Sequence, residues 1–125
     1  MACKAVAEAV RIIQNECLTD RADAMGQELL ERLRNELSSS RTVGEVRGLG
    51  LAVGIEILGN RKTRTPASKD ALRALFLEVL EEHVLVMTGV SSLRLYPPLT
   101  VTQEEVQLAV ERITRAFRRW EESNT

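Results

Sequence analysis

Two stretches of this chain decide its fold: TVGEVRGLGLAVGIEIL at residues 42–58 and SLRLYPPLTVT at residues 92–102. Residues 51–58 place Leu51, Val53, Ile55 and Ile57 on one side and Ala52, Gly54, Glu56 and Leu58 on the other, which is the two-residue period of a β-strand. In the second stretch Arg94 lies between Leu93 and Leu95 with the same period. The Pro-Pro pair that follows ends this strand because proline cannot donate a ladder hydrogen bond. We therefore expect a β-strand in each stretch.

Further segments frame these strands. Residues 43–48 are expected to form a short strand that leads into the first one, and residues 84–87 are β-prone. Four segments space their apolar residues by three and four, which is typical of amphipathic helices. Their patterns cover residues 1–17, 22–37, 72–80 and 106–120.

The ends of these helices carry recognisable signals. Leu18-Thr19-Asp20 is expected to mark a break between the first two helices, and Ser38 to Ser40 a loop after the second. Ser68 is placed to cap the third helix, and Thr102-Gln103-Glu104-Glu105 is a capping box for the fourth.

The order of these elements is helix, helix, strand, helix, strand, strand, helix, and the GNRKTRTP segment after the first main strand is predicted to be a loop. Helices packed on one face of a small, mostly antiparallel sheet would bury all the apolar stripes. The sequence therefore predicts an α+β fold for residues 1–125, as a single domain.

Composition narrows the function classes. The chain has 125 residues, 44% of them apolar and 28% charged, and its net charge is −1. That balance is ordinary for a globular protein and gives no attraction to nucleic acid or to an anionic membrane. No apolar run approaches the length of a membrane span, and the N-terminus is not a signal peptide. Cys3 and Cys17 lack metal-ligand spacing, so we expect reduced thiols and a cytoplasmic location.

The two deciding stretches together resemble the C-terminal small domain of class III aminotransferases, which are pyridoxal-phosphate enzymes of fold type I. The family shows a G-x-V-R-G-x-G-L-x-x-G-I-E strand, then a helix, a strand and an R-L-x-P-P-L-T strand. The opening MACKAVAEAVRII is similar to the family's N-P-x-A-C-x-A-A helix, and the NRKTRTP loop resembles the D-R-x-T-x-x-P of the 4-aminobutyrate and other ω-amino-acid branches. One departure is Glu82-His83-Val84, where the family usually ends a helix with glycine.

The resemblance implies a role for Arg94. In the similar enzymes the arginine at this position reaches the active-site cleft, where it binds a substrate carboxylate or an acidic residue of the large domain. Arginine suits that contact because its planar fork donates two parallel hydrogen bonds to a carboxylate. Spacing alone favours the plainer interpretation, a solvated arginine on a strand.

The resemblance also implies what this chain lacks. In the family the Schiff-base lysine and the aspartate that pairs with the pyridine nitrogen lie upstream, in the large domain. A Schiff-base lysine needs a desolvated site, and none of Lys4, Lys62 and Lys69 has an apolar sequence setting. We therefore expect no cofactor in this chain alone, and no catalytic residue. The catalytic large domain is expected to be absent, whether the chain is a shortened protein, the product of a split gene or an excised fragment.

Other patterns support weaker readings. Arg47, Gly48 and Gly50 suggest a phosphate loop, but the dinucleotide form needs a following helix and here a strand follows, so a tight turn with a local ion pair is expected. His83, the only histidine, fits a helix end rather than a metal or catalytic triad. A cluster of arginines near the end of the last helix is expected to complement the helix dipole rather than to bind nucleic acid: Arg115, Arg118 and Arg119.

The sequence thus leads to two hypotheses. The first is a C-terminal domain fragment of a class III aminotransferase, inactive alone, that contributes substrate-carboxylate binding through Arg94 and closure of the cleft in a complete enzyme. Its partner would be the aminotransferase large domain, if that domain is encoded separately. The second is a non-catalytic binding or dimerisation module derived from that domain. The first helix favours self-association into a homo-oligomer, since Ala5, Ala9 and Ile12 widen its apolar stripe.

Overall fold

The computed structural model describes residues 1–124, so Thr125, the last residue of the predicted domain, lies outside the described residues. Those residues form four helices and five strands, and the predicted α+β class is confirmed. In chain order the elements are α1 (Ala2–Asn15), α2 (Leu18–Glu36), β1 (Val43–Leu49), β2 (Ala52–Asn60), β3 (Thr65–Pro66), α3 (Lys69–Glu81), β4 (Met87–Thr88), β5 (Ser92–Leu95) and α4 (Gln103–Ser123).

The strands form one antiparallel sheet in the order β1-β2-β5-β4, with β3 added to β2. Alternation along the strands separates the two faces of this sheet. The inner face carries buried apolar side chains, which join the core cluster with α2, α3 and α4: Val53, Ile55, Ile57, Leu93 and Leu95. The outer face carries Arg47, Gly54 and Arg94, and no helix of residues 1–124 covers it.

A close backbone contact fixes α2 on the sheet. β1 and β2 are joined by a two-residue turn in which Gly50 has a φ of +54°. Gly26 on α2 is buried against this turn, and a Cβ at Gly26 would lie 1.9 Å from the Gly50 carbonyl oxygen. Only glycine at position 26 allows this approach. The hairpin and α2 therefore pack backbone to backbone.

The caps of α3 and α4 agree with their sequence signals. The Ser68 side chain accepts a hydrogen bond from the amide of Ala71. At α4, Thr102 and Glu105 form the predicted capping box, with each side chain accepting from the other residue's amide.

The loop between α2 and β1 is fastened to the far end of α4 by one carboxylate oxygen. Oε1 of Glu121 accepts hydrogen bonds from the Ser40 hydroxyl, the Thr42 hydroxyl and the amides of Arg41 and Thr42. The local periodicity of the sequence does not predict these hydrogen bonds, because their partners lie 79 to 81 positions apart.

The first helix differs from the other three because none of its residues is buried. Val6 is 64% exposed and Val10 is 48% exposed, so the predicted apolar stripe lies open. Arg11 and Glu8 pair on this exposed helix, and their hydrogen bond lowers the pKa of Glu8 and raises the pKa of Arg11.

The structure corrects several predicted boundaries. The break between α1 and α2 was expected at Leu18-Thr19-Asp20, but α2 begins at Leu18 and the bend lies at Cys17, in left-handed backbone with a φ of +49°. The predicted loop over residues 59–66 contains the end of β2 and the short β3, because Leu58 and Asn60 pair with Pro66 and Thr65. The β-prone segment 84–87 forms a strand only from Met87, and this strand continues to Thr88.

The end of α3 lies at Glu82-His83-Val84, where the sequence lacks the glycine that the resembled family usually has. His83 takes the left-handed conformation with a φ of +61°. The amide of His83 donates to the carbonyl of Leu80, and the amide of Val84 donates to the carbonyl of Val79. This is a Schellman motif, in which a histidine occupies the position that glycine usually takes. The helix end is therefore kept without glycine.

Candidate functional site

The candidate site lies on the outer face of the sheet, where two arginines flank a glycine. Gly54 on β2 pairs with Arg47 on β1 and with Arg94 on β5. Adjacent strands lie about 4.8 Å apart, so the backbones of the two arginines are separated by roughly 10 Å across a residue without a side chain. This row forms the floor of a concavity of about 240 Å³. Its lining also includes Gly48, Ala52, Val53, Glu56, Ser92 and Tyr96.

Arg94 is the sequence-predicted site residue, and it is exposed in this concavity. Its neighbours Leu93 and Leu95 are 1% and 6% exposed, so β5 is held to the core while Arg94 points away from it. The Arg94 guanidinium lies over Gly89, where a Cβ would be 3.0 Å from one of its nitrogens. Within residues 1–124 the Arg94 side chain makes no hydrogen bond and no ion pair. All its donors are therefore available to an external acceptor.

A second pair of residues shapes the concavity, and sequence reasoning missed both. Glu56 on β2 lines it, and the Oε2 atom of Glu56 accepts a hydrogen bond of 2.8 Å from the guanidinium of Arg64. The Glu56 side chain is 26% exposed and the Arg64 side chain 63% exposed. The period of β2 places Glu56 on the outer face, but only the observed shape of the following loop brings Arg64 to it.

The phosphate-loop reading of Arg47, Gly48 and Gly50 finds no support in the geometry. Arg47 pairs with Glu45 at 3.2 Å and Gly50 forms a hairpin turn, as the plainer interpretation predicted.

No cluster of three or more His, Cys, Asp or Glu side chains that could hold a metal ion occurs in the part of the chain that the structure describes. His83 lies exposed at the end of α3.

The arginine cluster of α4 was expected to complement the helix dipole, and that expectation is wrong. α4 continues to Ser123, and its last turn contains no basic residue. Instead Arg115 and Arg119 both pair with Glu82, at 2.9 Å and 3.1 Å, and Glu82 is only 9% exposed. Arg118 lies 3.6 Å from Glu36. These arginines join α4 to its neighbouring helices through ion pairs.

The lysines do not form a site for pyridoxal phosphate. Lys4 lies on α1, Lys62 in the loop between β2 and β3, and Lys69 at the start of α3, and all three are exposed. A Schiff-base lysine requires a desolvated environment that lowers its pKa, and none of these positions offers one. The described residues therefore do not fit the cofactor of the resembled enzymes.

The α+β fold was predicted from the periodicity of the sequence, and comparison with known proteins establishes the family that the two strand motifs resemble. Residues 1–117 match the sequence model of the family described as aminotransferase class-III. The taurine–pyruvate aminotransferase of Rhodobacter capsulatus is 31% identical over 122 residues, which are 92% of this chain and 27% of that protein. An alanine–glyoxylate aminotransferase 2 homolog of Arabidopsis thaliana is 31% identical, with 82% of this chain covered and 22% of the relative.

Solved structures agree. A Bacillus anthracis aminotransferase superimposes with a TM-score of 0.89 at 31% identity, over 94% of this chain and 28% of that one. An amine transaminase from an uncultivated Pseudomonas species gives a TM-score of 0.89 at 32% identity, over 94% and 27% of the two chains. This chain belongs to the class III aminotransferase family. It spans about a quarter of the length of these relatives.

Among residues 1–124, no helix combines the length and the apolar content that are needed to cross a bilayer.

Proposed function

We propose that this chain acts as the C-terminal small domain of a pyridoxal-phosphate-dependent class III aminotransferase and binds the substrate carboxylate through Arg94. On this proposal the catalytic large domain lies outside residues 1–125, which are inactive without it. The small domain closes over the cleft of the large domain and presents the outer face of its sheet. Family membership supports the proposal, as does coverage of only about a quarter of the matched relatives.

The observation that carries the proposal is the state of Arg94. A surface arginine commonly pairs with a nearby carboxylate, as Arg47 does with Glu45. Arg94 instead makes no ion pair within residues 1–124, although it lies in a concavity beside Ser92 and Tyr96. A guanidinium in this state presents its planar fork to a carboxylate with no internal contact to break.

An ω-amino acid is the proposed class of amino donor. The NRKTRTP loop carries that indication, and omega transaminases are among the similar structures, including one from Pseudomonas jessenii at 31% identity and a TM-score of 0.84. We place the chain in the cytoplasm on the same proposal, in keeping with its free cysteines Cys3 and Cys17.

Reconstitution tests this function. The large domain of a class III aminotransferase, produced without its own C-terminal quarter, is mixed with this chain and assayed for transamination. Activity above that of either part alone is the expected result. If the two parts form a stable complex with no activity, or form no complex, the chain does not serve as this enzyme's small domain.

A second candidate function is a stand-alone dimerisation module, and α1 favours it. The helix has no buried residue, and Ile12 is 39% exposed beside the open Val6 and Val10. An uncovered apolar face of this kind marks an interaction surface. Two copies of the chain would bury it against each other.

Sedimentation over a concentration series tests the second candidate. Ile12→Glu places a charge in the apolar stripe and should weaken a dimer, whereas Ala7→Glu adds the same charge on the other side of α1, three residues after Lys4 and four before Arg11. A monomer at the highest concentration would remove this candidate. Equal weakening by both variants would show that the contact is electrostatic rather than apolar.

A further inference from the structure

A carboxylate of this same chain, that of Glu56, lies on the outer face of the sheet within reach of Arg94. Glu56 on β2 pairs directly with Ser92 on β5, and the neighbouring pair on the same face is Gly54 with Arg94. Glu56 is thus the diagonal neighbour of Arg94. Side chains in diagonal positions on an antiparallel pair lie about 7 Å apart at their bases, which long residues span easily. An ion pair between the two is therefore sterically open, yet none forms.

Two features hold the Glu56 carboxylate toward β1, away from Arg94. The Arg64 guanidinium donates to Oε2 of Glu56 at 2.8 Å. On β1, Gly44 leaves the room that the carboxylate occupies, since a Cβ there would lie 2.1 Å from the same Oε2. Glu56 accordingly leans toward β1 and the β2–β3 loop, away from β5.

The loop that carries Arg64 is itself held in shape. Asn60 Oδ1 accepts hydrogen bonds from the amides of Lys62 and Thr63, and the hydroxyls of Thr63 and Thr65 lie 2.7 Å apart. Arg64 has a φ of +52°, a left-handed backbone that is unfavourable for a residue with a side chain. The fixed turn thus places the Arg64 guanidinium at Glu56.

We infer that Arg64 is a positioning residue: with the space left at Gly44, it keeps Glu56 from neutralising Arg94, and so keeps the Arg94 guanidinium open to a carboxylate ligand. The inference deepens the proposed function and rests on it for the purpose of the open guanidinium. The placement of the three side chains stands independently of that purpose.

Arg94 is the arginine that a released Glu56 would reach. Arg47 is also diagonal to Glu56, because it pairs with Gly54 from the β1 side. However, Arg47 already has Glu45 at 3.2 Å, whereas Arg94 has no carboxylate partner within residues 1–124. A second carboxylate at Arg47 would meet the negative charge of the first. The unpaired Arg94 therefore offers the stronger attraction.

Chemical modification of arginine tests the inference on the full chain without substrate. Phenylglyoxal reacts with accessible guanidinium groups, and peptide mass mapping gives the rate at each arginine. Arg64→Ala should slow modification of Arg94 by about two- to fivefold, the range expected if a surface ion pair of ordinary strength forms. Arg64→Ala/Glu56→Gln should restore the original rate. Arg73, an exposed residue of α3 with no ion pair among the described residues, serves as the internal standard in every sample.

Lys62→Ala is the matched control, because it removes from the same loop a cation that forms no ion pair with Glu56 among the described residues. It should leave the Arg94 rate unchanged. An unchanged rate in Arg64→Ala would overturn the inference, and so would a slowed rate that Glu56→Gln does not restore. No ligand takes part, so a chain that never binds a carboxylate still shows the expected pattern. Failure of the proposed function is read separately, from the reconstitution.

Discussion

Arg94 and Leu95 are adjacent on β5 but lie on opposite faces of the sheet, with Arg94 exposed and Leu95 only 6% exposed in the core. Their truncations should therefore differ. We expect Arg94→Ala to change the free energy of unfolding by less than about 1 kcal/mol, because it removes no buried contact. Leu95→Ala should cost about 2 kcal/mol or more, from lost burial and the cavity left behind. Urea unfolding of both variants checks this, and an equal loss would show that Arg94 is a structural residue.

The contact between Gly26 and Gly50 gives a second prediction. Gly26→Ala raises helix propensity by about 1 kcal/mol, but the new Cβ would lie 1.9 Å from the Gly50 carbonyl oxygen. The Cβ is fixed directly to the α2 backbone and the oxygen belongs to the hairpin backbone, so neither atom can move alone. Because α2 and the hairpin must therefore separate, we expect a net loss of about 1–3 kcal/mol. Gln27→Ala, at an exposed neighbouring position, should stay within about 0.5 kcal/mol. Thermal unfolding measures both, and a more stable Gly26→Ala variant would contradict the packing described.

Part of this architecture was readable from the sequence, and part was not. A local period of two predicts β2, β5 and the outward placement of Arg94. The structure confirms all three. The contacts of Glu56 with Arg64 and of Gly26 with Gly50 depend on how a loop and a helix pack in space, which no local period encodes. The bend at Cys17 was misplaced because Thr19 and Asp20 are common capping residues, whereas α2 begins without a side-chain cap.

The histidine at the end of α3 gives a third prediction. His83 has a φ of +61°, which costs a residue with a Cβ about 1 kcal/mol or more. His83→Gly removes that cost but gains freedom in the unfolded chain. We expect a net stabilisation of about 0.5 kcal/mol. His83→Ala should bring no such gain, because alanine keeps the Cβ. Chemical denaturation of the two variants side by side decides the matter, and equal stabilities would show that the left-handed backbone is not strained.

The exposed lysines give a fourth prediction. Pyridoxal phosphate added to the isolated chain and then reduced with borohydride should give no stoichiometric adduct on any single lysine, because Lys4, Lys62 and Lys69 all lie in water. Peptide mass mapping should show only low, scattered modification. One fully modified lysine would mean that the chain holds a cofactor site of its own, and the division of roles proposed between this chain and a large domain would then be wrong.

The most direct test of the central claim uses the reconstituted enzyme, with Arg94→Ala compared against the unchanged chain on two amino acceptors. One acceptor carries a carboxylate, as pyruvate does, and the other is an aldehyde without charge. Loss of a charge-assisted contact should lower kcat/KM for the carboxylate acceptor by about 10- to 100-fold. The value for the aldehyde should stay nearly constant, since it makes no such contact. An equal fall for both acceptors, or none for pyruvate, would contradict the assignment of Arg94 as the carboxylate-binding residue.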